Sequence, residues 1–93
     1  MTFADADLAA ICNSGSQIDR RWGAAAGDVR LALGVLAAAA DLAVFHALPN
    51  IRREGEQTVF EGDCADVVLS IGPGNPRGIQ VVAVDARIRA RRP

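Results

Sequence analysis

The apolar residues of this chain change their period at Pro49. Before it they recur at helical spacing, and after it they gather in short β-branched runs. Helices first and strands afterwards is the pattern of an α+β domain, with N-terminal helices packed on a small antiparallel sheet. In the first half, Leu8, Ile11 and Cys12 share a helical face within ADLAAICN (6–13), and Phe3 is placed to begin a short strand. Asn13-Ser14-Gly15-Ser16 reads as a break. Asp28, following Gly27, is the expected N-cap of a helix over 28–40, in which Val29, Leu33, Leu36 and Ala40 fall on one face. The other side of that helix is nearly all alanine. It is therefore expected to pack on both faces, or to offer one to a partner. Asp41 then caps a second, short helix, LAVFHAL, which Pro49 stops.

In the second half, Thr58–Phe60 is a short β-like run closed by a Glu61-Gly62-Asp63 turn. Val67–Ile71 and Ile79–Val84 are two longer runs, joined by GPGNPRG (72–78) as a hairpin loop. The 93 residues suffice for one domain, since a chain this short buries only about 60–70% of its unfolded surface. Residues 1–88 are read as that domain and 89–93 as a basic tail, expected to be disordered. The apolar half of the composition is mostly alanine and valine, with three phenylalanines and one tryptophan. A thinly packed, aliphatic core is expected. No apolar run reaches the ~18 residues of a membrane span. The opening MTFADADLAAI carries acid and no base, unlike a secretory signal, which points to the cytoplasm. Cys12 and Cys64 are expected there as unpaired, mostly buried thiols, without metal-ligand spacing. No metal or other cofactor is expected.

Charge narrows the functional classes. All ten basic residues are arginine, yet the formal net charge is -1. Attraction of nucleic acid to the whole surface is thereby excluded, and any RNA contact must be local. The arginines gather at Arg20-Arg21, at Arg52-Arg53, and at Arg77 with Arg87, Arg89, Arg91 and Arg92. In a strand alternating through 81–89, Asp85, Arg87 and Arg89 share one face, and Val82, Val84, Ala86 and Ile88 share the other. The charged face is either a solvated sheet surface or a phosphate-binding strip, since arginine forks match phosphate oxygens. His46 is the only histidine, too little for a catalytic triad or a histidine-based zinc site. The glycine-rich GPGNPRG lacks a following helix and a lysine, so it reads as a hairpin connection with Arg77 as a candidate phosphate contact.

Taken in order, these pieces resemble the HigB-type ("plasmid maintenance killer") members of the RelE/ParE toxin superfamily. FADADLAAICNSGSQIDRRWG (3–23) is similar to the family's opening: a short strand, a helix, then a basic pair before an aromatic and a glycine. DVRLALGVLAAAADLAVFHALPNIRR (28–53) is similar to its second helix, a short acidic-leucine segment, a Leu-Pro and an arginine. VVAVDAR (81–87) sits where the family ends in a strand closing on Asp-Tyr-His. The resemblance implies a toxin that enters the ribosomal A site and cuts mRNA, and that a DNA-binding, helix-turn-helix antitoxin neutralises.

Carried over by position, Asp85 matches the terminal aspartate and Arg52 the arginine after Leu-Pro. Ala86 and Arg87 replace the family's tyrosine and histidine, and Glu54 falls where a histidine often sits. The resemblance thus implies proton transfer by Asp85 or Glu54, with Arg52 and Arg87 stabilising charge. Arg53, Arg77, Arg89 and Arg91 are the implied RNA contacts. Two other readings stand beside it. One is a non-catalytic or gyrase-directed relative that acts by protein contact. The other is an unrelated small α+β interaction domain.

Overall fold

The computed structural model describes residues 2–39, 41–74 and 78–88. Strand β1 (Thr2–Phe3) leads into helices α1 (Ala6–Cys12), α2 (Gly15–Trp22), α3 (Ala26–Ala38) and α4 (Leu42–His46). A single 3₁₀ turn (Gly23–Ala25) precedes α3. Strands β2 (Ile51–Glu54), β3 (Gln57–Glu61), β4 (Ala65–Pro73) and β5 (Ile79–Ile88) follow as an antiparallel meander. The sheet order is β1-β5-β4-β3-β2, with β1 parallel to β5. The α+β expectation holds, but the sheet is mixed rather than purely antiparallel, because the chain must cross over its helices to bring β1 beside β5.

Four local expectations are corrected. The expected break is confined to Asn13-Ser14, and Gly15 and Ser16 already belong to α2, a helix not expected from the sequence: the Ser14 hydroxyl accepts from the Gln17 N–H, 3.4 Å away, and starts it at Gly15. Asp28 is not an N-cap. It lies in the first turn of α3, buried, and its carboxylate reaches across to the β3–β4 turn. There it accepts from the N–H groups of Asp63, Cys64 and Ala65 at 2.9, 3.0 and 3.0 Å. The turn fits the carboxyl group so closely that a Cβ on Gly62 would stand 2.5 Å from Asp28 Cγ. Cys64, in that turn, is exposed rather than buried. Finally, α3 packs on one face only: Val29, Ala32, Leu33 and Leu36 are buried, while Leu31 on the opposite face is 55% exposed.

Asp41 caps α4 as expected, accepting from the Val44 N–H at 3.0 Å. The core sits between α2–α4 and one face of the sheet, with Ile18, Val29, Leu36 and Phe45 against Phe60, Val67, Leu69, Ile79 and Val81. It is not purely aliphatic, since Phe45 and Phe60 are its largest fully buried side chains. Removing either ring would cost about 3–5 kcal/mol.

Strand β5 keeps an apolar inner face through a bulge. Ser70 pairs with Ala83 but Ile71 pairs with Val81, leaving Val82 as the extra residue. Ile79 and Val81 point inward before it, Val84 and Ala86 after it, and Val82 itself is 52% exposed. The expected grouping of Val82 with Val84 fails for that reason. Asp85 and Arg87 nevertheless share a face, the one turned away from the helices. Arg77, Arg89, Arg91 and Arg92, and the expected disorder of the tail, lie outside the described residues.

Candidate functional site

The outer face of the sheet is built by register. Arg52 pairs with Val59, Val59 with Val68 and Val68 with Asp85, so these four form one row across the strands. Glu61, Asp66 and Arg87 form the next row, and Glu54 lies opposite Gln57. Side chains alternate between faces, so both rows and Glu54 project away from the helices. Residues distant in sequence are thereby brought to one surface.

Arg52 is the hub. Its Nε and Nη2 donate to Glu54 Oε2 at 2.9 and 2.7 Å, and its Nη1 donates to Glu61 Oε2 at 2.7 Å. Its Nη2 also lies 3.4 Å from Asp66 Oδ2. Glu54 uses its second oxygen, Oε1, to accept from Arg87 Nη2 at 3.0 Å. The bridge Arg52–Glu54–Arg87 spans β3 and β4, and beneath it Val59 is 0% and Val68 8% exposed. Arginine and glutamate stems roofing apolar surface account for buried valines on an outward face.

The electrostatics follow from these contacts. Hydrogen bonds from Arg52, then from Arg87, hold the Glu54 carboxyl below its usual range, and the bond to Glu54 raises Arg52. Glu54 is thus an ionised acceptor held between two cations. Asp85 sits at the far side of an open concavity of about 320 Å³, lined by Glu54, Gln57, Val68, Ser70, Ala83 and Arg87. Its carboxylate accepts from the Ala86 N–H at 2.8 Å. Four carboxylates (Glu54, Glu61, Asp66 and Asp85) share this face with two guanidiniums, and a phosphate arriving at Arg52 competes there with Glu54, Glu61 and Asp66.

Arg52, Glu54, Asp85 and Arg87 therefore lie together. Arg53 does not. It projects from the opposite face of β2, in register with buried Thr58, near His46. His46 Nε2 lies 3.0 Å from Thr58 Oγ1, and burial, then the charge of Arg53, lower the imidazole pKa. That histidine is a packing residue joining α4 to the sheet. Burial pushes the half-buried Cys12 thiol up, which Arg21 only partly offsets, and this favours the thiol over the thiolate. Arg21 itself stacks over the Trp22 ring at 5.6 Å. Among the described residues, no group of histidine, cysteine and acidic side chains is arranged to hold a metal ion. Glu61 and Asp66 were missed from the sequence. They flank a four-residue turn, and only the β3–β4 register puts them beside Arg52 and Arg87.

No protein-family model, curated protein or solved structure matches the chain.

Proposed function

We propose that this chain is the toxin of a type II toxin–antitoxin pair, similar to the HigB-type members of the RelE/ParE superfamily. It acts in the cytoplasm as a ribosome-dependent mRNA endonuclease. The supporting observation is the outer face of the sheet. The four residues that the resemblance implies for catalysis share it, and Glu54 and Arg87, 33 positions apart in sequence, are bonded across it.

The chemistry is attack of an RNA 2′-oxygen on the adjacent phosphorus, with departure of the 5′-oxygen. Glu54, held ionised, accepts the 2′-hydroxyl proton once the phosphate has taken its place on Arg87. Arg87 and Arg52 then bear on the charge that builds on the phosphoryl oxygens. The leaving 5′-oxygen takes a proton from solvent, which Asp85, across the concavity, relays, and the proton on Glu54 returns to solvent. The cognate antitoxin is a helix-turn-helix protein encoded beside this chain.

Induction of the wild type and of Arg87→Ala in a bacterial host tests the reading. Growth arrest with translation-dependent mRNA cleavage, lost in the variant, supports it. Normal growth with intact transcripts removes the enzyme. One observation favours a second reading, in which the chain acts by protein contact on gyrase or on its antitoxin. Arg52 already bonds Glu54 and Glu61, and Arg87 bonds Glu54, as in a surface built for protein rather than for polyphosphate. Arrest with intact mRNA would select that reading.

A further inference from the structure

Strand β5 has an open edge. β1 pairs with it only through Thr2–Gln80 and Phe3–Val81, and among the described residues no strand continues beyond that point. The Val81 carbonyl accepts from the Ala4 N–H at 2.9 Å, so the main-chain groups of Val81 face the β1 side. The extra residue Val82 shifts the alternation by one. The N–H and C=O groups of Val84, Ala86 and Ile88 then face the same open side. Ala86 carries the mark of this: its N–H is taken by the Asp85 carboxylate at 2.8 Å. A row of edge backbone groups with no strand beside it among the described residues is a template for another extended strand, which the Ala86 N–H joins by leaving the Asp85 carboxylate.

The side chains say which strand. Val84-Asp85-Ala86-Arg87-Ile88 is self-complementary when two copies run antiparallel about a two-fold axis through Ala86. Asp85 then faces Arg87 of the other copy, twice, and Val84 faces Ile88, twice. The charged pairs fall on non-hydrogen-bonded positions, where side chains approach most closely, and Ala86, Val84 and Ile88 make the ladder bonds. Ile88, 60% exposed in the single chain, gains an apolar cross-strand neighbour in Val84 of the second copy.

We propose that this chain associates with a second copy of itself through β5, joining two five-stranded sheets into one continuous sheet. The proposal does not rest on the functional reading above, although both engage Asp85 and Arg87. A two-fold axis makes the contact isologous and closes it at two copies.

Sedimentation of the full chain across micromolar concentrations is the test. A mass twice the 9.7 kDa of the chain is expected. Ala86→Pro, which removes an edge N–H at a residue packed against the rim of the core, and Ile88→Lys, at an exposed position, are expected to sediment as monomers, with wild-type circular dichroism as the check that each still folds. Asp85→Lys, which sets like charges opposite each other twice, is expected to weaken dimerisation by roughly tenfold. Leu31→Glu, on the exposed face of α3, is expected to change nothing. A monomer at every concentration overturns the proposal, as does a dimer that survives Ala86→Pro and Ile88→Lys or is broken by Leu31→Glu.

Discussion

Asp28 and Gly62 show how much of this fold rests on single residues. The buried Asp28 carboxylate satisfies three consecutive backbone N–H groups and ties α3 to the sheet. Asp28→Ala is expected to cost at least about 3 kcal/mol in urea unfolding, because the three donors lose a charged acceptor. Asp28→Asn should fare little better, since its amide NH₂ must face N–H groups. Titration adds a second test at this scale. The folded state lowers the His46 pKa, so in mildly acidic solution the unfolded chain binds more protons. The stability this contributes is present above the ordinary histidine pKa and is lost as pH falls through the folded value. The urea midpoint of the wild type is expected to drop between neutral pH and about pH 5 by more than that of His46→Gln. Glu54 acts in a lower window. Its pKa is depressed, so its contribution is present above the usual glutamate range and lost as pH falls through the folded value.

Among the elements, the bulge in β5 decides which face carries charge. Deleting Val82 leaves Ile79-Gln80-Val81-Ala83-Val84-Asp85 in strict alternation, with the apolar residues inward. That variant is expected to fold with a melting temperature near the wild type. Deleting Ala86 instead turns Arg87 toward the core and is expected to unfold the domain, as circular dichroism would show. The long elements were legible because their patterns are strong. The β-branched run Val67–Ile71 marks β4, and the spacing of Val29, Leu33 and Leu36 marks α3. α2 was hidden by its small, polar opening, Ser14-Gly15-Ser16, where a serine cap and a loop look alike. β2 was hidden because Ile51-Arg52-Arg53-Glu54 is an edge strand with a single aliphatic residue. The role of Asp28 depended on a turn 35 positions away, which no local pattern reports.

For the molecule as a whole, strand alternation alone put Asp85 and Arg87 on one face, and the resemblance added Arg52 and Glu54. The sheet brings all four together. The resemblance also named Arg53, which period two sends to the opposite face from Arg52. What the sequence withheld was the ion pairing, because Glu61 and Asp66 meet Arg52 only through strand register. As proposed above, this paired outer face opens to bind and cut RNA. The most direct measurement adds the purified chain to a defined translation reaction and maps the ends of the mRNA. Cleavage within translated codons is expected, leaving 2′,3′-cyclic phosphate ends, abolished by Arg87→Ala and strongly reduced by Glu54→Gln. Intact mRNA, or cleavage that both variants retain, would contradict it.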